Sequence, residues 1–317
     1  MKPTAELPDD PALPGLAAIR AHGLARAMPV LGLDGRPVEL LLRAYKPGAR
    51  AALEARVGTR HLAIKAYAAD PAPEAALYAS LATVPAGDSG VHVPPLVAWD
   101  RELRALAIGW LDGPTARELI ECGRGKRAGE LAARWLRRAA ALPVQQGPRF
   151  GAARRLEQAA GWVATLAAAD PTLGTAATAL AETLARTMPR EGAPRLVHGS
   201  LHDRNVIDLG DGPGVIDWQR FGQGPAEIDA GRFLAEITRH RLQHEPLGAE
   251  ATRAEQAFLA GIEGLVDERA LAWHRAAALL RAAVRACKEI PRRQHADWLE
   301  RSRRLLGEAA ELAGAMS

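Results

Sequence analysis

Residues 198–218 read HGSLHDRNVIDLGDGPGVIDW, from His198 to Trp218. Short apolar runs at Val206-Ile207 and Val215-Ile216 flank the turn-formers Gly210-Asp211-Gly212-Pro213-Gly214. The stretch therefore predicts a hairpin from Asn205 to Asp217. A hairpin folds its ends onto one spot, so an amide oxygen and a carboxylate come together, and both are hard donors of the kind magnesium takes. Asn205 by itself reads equally well as a turn or capping residue; Asp217 at the other end makes the metal reading the stronger. The glycines do not open a helix after a strand, so they form a turn and not a dinucleotide fingerprint.

Upstream, the chain reads first as a helix from Asp9 to Met28, with leucines spaced for one buried face. Strands follow at Val38–Tyr45 (VELLLRAY), Ala51–Val57 and Leu62–Tyr67 (LAIKAY), with turns at Lys46-Pro47-Gly48 and Gly58-Thr59. Pro73–Leu81 predicts a helix with proline in its first turn. Pro94–Trp99 and Leu103–Trp110 are two more strands. The N-terminal part is thus an antiparallel sheet with a packed helix. After Gly113-Pro114 the character changes. Alanine, leucine and arginine recur at helical spacing over Ala128–Leu142, Ala152–Ala168 and Leu173–Met188, and helices return from Ile228 to the end. The fold class is α+β, in two lobes: residues 1–108, a connector at 109–113 acting as hinge, and a helical lobe at 114–317. A ligand cleft between lobes is the default expectation for this layout.

Lys65 is one of only five lysines among 41 basic residues, and it sits inside an apolar strand. A strand lysine facing water is the plain reading; a lysine holding phosphates is the functional one. Glu74 opens the next helix, where it could reach back to keep Lys65 charged and aimed, although acidic residues favour helix N-termini anyway.

Taken in order, these segments resemble the aminoglycoside phosphotransferase and choline kinase branch of the protein-kinase-like fold. That branch carries a loop HGDxHxxN, a hairpin, and then IDW or IDF; protein kinases carry the related HRDxxxxN and DFG. His198, Gly199, His202, Asn205 and Asp217 match, and Gly224-Pro225-Ala226-Glu227-Ile228-Asp229 is similar to the family's GDPAxDLA segment. Lys65, Glu74 and Trp110-Leu111-Asp112-Gly113 fall in family order, so the resemblance covers nearly the whole chain. It implies transfer of phosphate from ATP to a hydroxyl of a small molecule, with Mg2+ on Asn205 and Asp217. It implies Lys65 and Glu74 at the phosphates, Lys46 and Gly48 in the turn that covers them, and Ile108, Gly109 and Leu111 at the adenine. His198 then reads as buried scaffold, Asp229 as a support of the loop, and His202 as a candidate near the transferred phosphate.

One position departs. Ser200 stands where the family keeps its catalytic aspartate, the residue that accepts the acceptor's proton. Because phosphoryl transfer is largely dissociative, the missing base costs less than a missing metal would. Three readings follow: an enzyme using another carboxylate, for which Asp203 is the candidate, a slow enzyme built on Ser200, or a nucleotide-binding pseudokinase. A serine hydrolase on Ser200 and His202 lacks the GxSxG elbow.

Composition excludes other classes. A net charge of +4 comes without a basic block or interleaved aromatics, so no nucleic-acid partner is expected. No run of about 18 apolar residues exists, so no membrane span is expected. Residues 1–10 are acidic and proline-rich rather than signal-like. Cys122 and Cys287 have no ligand spacing, which fits a reducing cytoplasm. From Phe233 onward thirteen Arg and Lys face twelve Asp and Glu, so no acidic pocket for a cationic acceptor shows. Arg275, Arg281 and Arg285 share one helical stretch and read as surface arginines. The acceptor and the oligomeric state are left unassigned.

Overall fold

The computed structural model describes residues 7–33, 35–83, 90–243, 245–289 and 295–316. The first six residues of the acidic N-terminal stretch, and residues 290–294 within the closing helical run, lie outside them. The architecture is α+β, as expected, and it divides into two compact units. The first ends at Asp112 and the second begins at Gly113, but Gly90 and Val91 already belong to the second.

The first unit is built on a five-stranded antiparallel sheet: β1 (Glu39–Lys46), β2 (Arg50–Val57), β3 (Arg60–Tyr67), β4 (Leu96–Asp100) and β5 (Ala105–Gly109), in the order β1-β2-β3-β5-β4. Helices α1 (Pro14–His22) and α2 (Leu24–Ala27) lay Leu16, Ile19 and Leu24, with Met28 just after α2, against Leu53, Ile64 and Ala66 of the sheet. The single helix expected over Asp9–Met28 is broken at Gly23, whose φ of 77° ends α1. It also starts later, because Asp10 turns the chain instead, its carboxylate accepting from the Ala12 amide. Helix α3 (Ala72–Ala82) follows β3 and buries Glu74, Leu77 and Tyr78.

The second unit is mainly helical: α4 (Ala116–Glu121), α5 (Gly125–Ala141), α6 (Ala152–Ala169), α7 (Pro171–Arg186), α8 (Glu227–Gln243), α9 (Gly248–Gly261), α10 (Glu268–Glu289) and α11 (His295–Gly314). Helices α6, α7, α10 and α11 share one core around Leu166, Leu180, Trp273, Leu279 and Leu305. Helix α5 packs on α9 through small residues: a Cβ on Gly129 would enter the Ala254 carbonyl, and one on Gly261 would enter Ala133. Two strand pairs are set among the helices. β7 (Val206–Asp208) and β8 (Pro213–Val215) form the expected hairpin, with Val206 opposite Val215. β6 (Arg195–Val197) and β9 (Gly222–Gly224) were not legible in the sequence, since a three-residue Gly-Gln-Gly strand has no alternation to read. Together they bracket residues 198–221.

Candidate active site

In the first unit, the middle of β3 carries Lys65 in register between Ala52 and Leu106. Its ammonium donates to Glu74 Oε1 at 2.8 Å, and Tyr67 donates to Glu74 Oε2 at 2.8 Å. Both charged residues are buried, Lys65 being 8% and Glu74 5% exposed. The pair expected from sequence therefore exists, with Tyr67 as an unforeseen third member. The turn Lys46-Pro47-Gly48 is exposed and closed by the Ala49 amide on the Lys46 carbonyl at 3.0 Å. Gly48 has φ 65°, and its amide donates to Asp10 Oδ2 at 2.8 Å, where Tyr45 also donates at 3.0 Å. The Gly48 amide first, and Tyr45 as well, hold the Asp10 carboxyl below its usual range against the cost of burial. Asp10 thus pins this turn from 38 residues away, a distance at which no sequence pattern could have found it.

Ile108 is buried on β5, and Gly109 and Leu111 are half-buried at its end. Between them, Trp110 stacks on His61 with centroids 4.6 Å apart. His61 also contacts Glu54, a carboxylate 2% exposed that accepts from Arg43 and Arg56. Burial would raise the Glu54 carboxyl, but these three partners outweigh it and hold it at about 2.

In the second unit, Asp229, in the first turn of α8, accepts the His198 amide at 2.6 Å and the Gly199 amide at 2.8 Å. Burial pushes the Asp229 carboxyl up to about 6, against the pull of these amides and that of Leu201. Gly199 has φ 72°, and a side chain there would strike the Arg220 carbonyl, so only glycine fits. His198 is buried and donates from Nε2 to the Ile216 carbonyl at 2.8 Å. A neutral imidazole bonded that way presents an unprotonated Nδ1, which accepts from Ser200 Oγ at 3.3 Å. Trp218 sits 4.6 Å from the His198 ring, centroid to centroid, and donates to the Val215 carbonyl.

Asn205 donates its side-chain Nδ2 to the Ser200 carbonyl at 3.2 Å, and its own carbonyl takes the Ile216 amide at 3.1 Å. Asp217, at the far end of the hairpin, has φ 67° and ψ 61°. It is one of only two non-glycine residues with positive φ among the described residues. Such strain persists only where the surroundings impose it.

Asp203 is placed differently from a base. It is fully buried, and Oδ2 meets His240 Nε2 of α8 at 2.5 Å. This contact ties the carboxylate to α8, and a reach toward an acceptor would have to break it. Glu236 joins them in a group whose candidate ligand atoms lie within 4.8 Å of one another. Arg232 and Arg239 both pair with Glu236, so the charge a cation would need is already taken. His202 is half-buried, and burial first, then Arg232, lowers its pKa below the usual imidazole value. The three arginines of α10 also need correction. Arg275 is only 9% exposed, bonded to Glu255 at 2.6 Å and Thr238 at 2.7 Å, and neither Arg281 nor Arg285 is fully exposed.

Residues 39–265 match the model of the phosphotransferase enzyme family, APH. The chain belongs to this family. No curated protein matches the sequence. Solved structures show the same fold at low identity. A thermostable mutant of aminoglycoside phosphotransferase APH(4)-Ia, in ternary complex with AMP-PNP and hygromycin B, is 15% identical with a TM-score of 0.62, over 92% of this chain and 98% of that one. A putative fructosamine-3-kinase from Thermobifida fusca YX-ER1 is 22% identical with a TM-score of 0.52, over 88% and 97%. A choline/ethanolamine kinase family protein from Mesorhizobium loti is 16% identical with a TM-score of 0.57, over 92% and 97%. The two-unit kinase-like fold of the phosphotransferase family is therefore that of this chain. No helix among its described residues is long and apolar enough to cross a membrane.

Proposed function

We propose that this phosphotransferase moves the γ-phosphoryl group of ATP, held with Mg2+, to a hydroxyl of a small molecule in the cytoplasm. The observation that carries the reading is how the loop aims its oxygens. Asn205 commits its amide nitrogen to the Ser200 carbonyl, which turns Oδ1 the other way. Asp217 is held in a strained backbone conformation at the end of the same hairpin. An amide oxygen and a carboxylate suit magnesium, so the donor set fits. When bound, the ion neutralises charge on the phosphates. Lys65, kept charged by Glu74, is assigned to the phosphates, Lys46 and Gly48 to the turn over them, and Ile108, Gly109 and Leu111 to the adenine. The family's motif order supports these assignments, as does a relative crystallised with AMP-PNP.

In the transfer, the bond from the γ-phosphorus to its bridging oxygen breaks, leaving ADP, as the acceptor oxygen bonds to phosphorus, and the acceptor's proton passes to water or to an oxygen of the transferred phosphoryl group. Ser200 carries no charge to draw that proton. Its hydroxyl accepts a hydrogen bond from the acceptor while donating its own to His198 Nδ1, a weaker pull than a carboxylate exerts. Turnover is therefore slow. The neutral charge of Ser200 also favours a second reading, a protein that binds nucleotide without turnover.

Thermal unfolding with ATP and MgCl2 tests the first step, since a ligand that binds the folded state raises the midpoint by mass action. A magnesium-dependent rise that Asp217→Ala removes is the expected result; an equal rise in that variant ends the metal assignment. ADP release over an acceptor panel then separates slow turnover from none.

A further inference from the structure

Five arginines converge on the catalytic loop from four places in the second unit. Arg155 lies on α6, Arg220 three residues after Asp217, Arg232 on α8, and Arg281 and Arg285 on α10. Helices α6 and α8 both pack on α10, and the five arginines are close enough to repel one another. Arg232 is one turn beyond Asp229, the residue that holds the loop, and it is 5% exposed. Its NH2 pairs loosely with Glu236 at 3.7 Å, while Nε and NH1 have no hydrogen-bond partner. Arg281 forms no ion pair with a carboxylate among the described residues; the groups acting on it are Arg232, Arg220, Arg155 and Arg285.

The carboxylates that act here, Asp203, Asp217, Asp229 and Glu236, are outnumbered by the five arginines together with Arg239, and three of them also have other partners. Asp229 takes the loop amides, Asp203 takes His240, and Glu236 is shared between Arg232 and Arg239. The cationic charge is therefore in excess where water is scarce, and the arginines feel it. Burial, then the neighbouring arginines, bring Arg281 down to about 9, and burial with Arg232 brings Arg155 down to about 10. An arrangement of like charges in a partly dry site weakens the empty fold and concentrates positive potential where it opens. Natural proteins break local rules in this way chiefly at functional sites.

We propose that the phosphate acceptor is itself an anion, a hydroxyl-bearing small molecule whose phosphate or carboxylate group seats on Arg155, Arg232 and Arg281 beside the Ser200 loop. That the anion is the acceptor rests on the phosphotransferase reading above; that an anion binds there rests on the arginines alone. A cationic acceptor meets repulsion at the same place.

The test is equilibrium binding without nucleotide or metal, using three polyols that differ in charge: glucose 6-phosphate, gluconate and kanamycin. One of the two anions is expected to saturate the protein, with affinity falling as salt rises, and which one it is separates phosphate from carboxylate. Arg281→Gln should weaken that binding about tenfold to a hundredfold, the worth of a hydrogen bond to a charged group. The same variant should unfold at a higher temperature than the native protein when unliganded, because a repulsion is removed. Its affinity for ADP with Mg2+ should be unchanged. Arg155→Gln repeats the test should Arg281→Gln fold poorly. The proposal falls if kanamycin binds more tightly than both anions, if none of the three binds at millimolar concentration, or if both variants bind the anion as the native protein does. It falls too if Arg281→Gln weakens ADP as much as the anion, which would give the cluster to the nucleotide. A protein that binds the anion but shows no magnesium-dependent response to ATP would instead remove the phosphotransferase reading and leave the anion site standing.

Discussion

Ser200 and an aspartate differ by one charge, and under the proposed function that charge sets the pull on the acceptor's proton. Ser200→Asp is expected to raise the rate of phosphoryl transfer by about a hundred- to ten-thousand-fold, the range of general-base catalysis. Single-turnover ADP release with a working acceptor measures it; no gain would mean that the base is not what limits this site. Asp203 makes the opposite case. Buried against His240, it should matter to stability, and Asp203→Ala should cost about 1–3 kcal/mol by leaving the buried His240 nitrogen without its hydrogen-bond partner. Urea unfolding reads that cost, and a native midpoint with lost activity would restore Asp203 as a base. His274 is buried, with neither ring nitrogen hydrogen-bonded, and burial, helped by Arg155, brings its pKa from 6.5 to about 3. The unfolded chain takes up this proton first as the pH falls. Stability is therefore full above about 6.5 and declines as pH drops toward 3, by at most about 1.4 kcal/mol per pH unit. In His274→Gln the unfolding free energy should lose this part of its slope between those values, and an unchanged slope would place the proton elsewhere. At this scale the Lys65–Glu74 pair and the hairpin that joins Asn205 to Asp217 were legible, because a motif fixes their order. The loop's tautomer was not, since it depends on a carbonyl 18 residues away.

Among the elements, the seam between α5 and α9 is the most demanding. Gly125 and Gly129, one turn apart, let the backbone of α9 come into contact with α5. Gly129→Ala gains about 1 kcal/mol of helix propensity but overpacks the seam at a cost of about 1–3 kcal/mol or more. Net destabilisation is expected, while Gly161→Ala on α6, which meets nothing within 4 Å, should stabilise by about 1 kcal/mol. Denaturant midpoints of the two variants should therefore move in opposite directions, and a common direction would mean that the seam can part. The long helices were readable because alanine and leucine recur at one period over four or five turns. Helix α4 was missed: with six residues it has too few turns for a period, though Thr115 and Glu118 form a capping box at its start. The break at Gly23 was missed because leucine spacing continues across it. Buried arginine is the deepest failure of the pattern. Periodicity assigns arginine to the outside, yet Arg232 on α8 and Arg275 on α10 are buried, 5% and 9% exposed.

On the scale of the whole chain, two units of different character share one sequence, and composition changes at their border. The net charge of +4 is modest, yet within the second unit Arg155, Arg220, Arg232, Arg281 and Arg285 act on one another. The division also has a topological consequence. Since Gly90 and Val91 belong to the second unit, the chain enters that unit, returns to finish β4 and β5, and crosses over again at Gly113. Gly90 packs against Asp211 and Gly212 at the turn of the β7–β8 hairpin. A gene divided at Gly113 would therefore not yield two self-sufficient halves. The fragment 113–317, made alone, would leave the tip of the β7–β8 hairpin without Gly90. Its amide hydrogen exchange at residues 206–215 should be faster than in the intact protein, and mixing it with the fragment 1–112 should restore the slow rate. Protection equal to that of the intact chain in the lone fragment would show that the hairpin holds itself. Inheritance follows the same line: a recombination that exchanges one unit for a relative's must carry the 90–91 segment with the second unit, or bring a matching one.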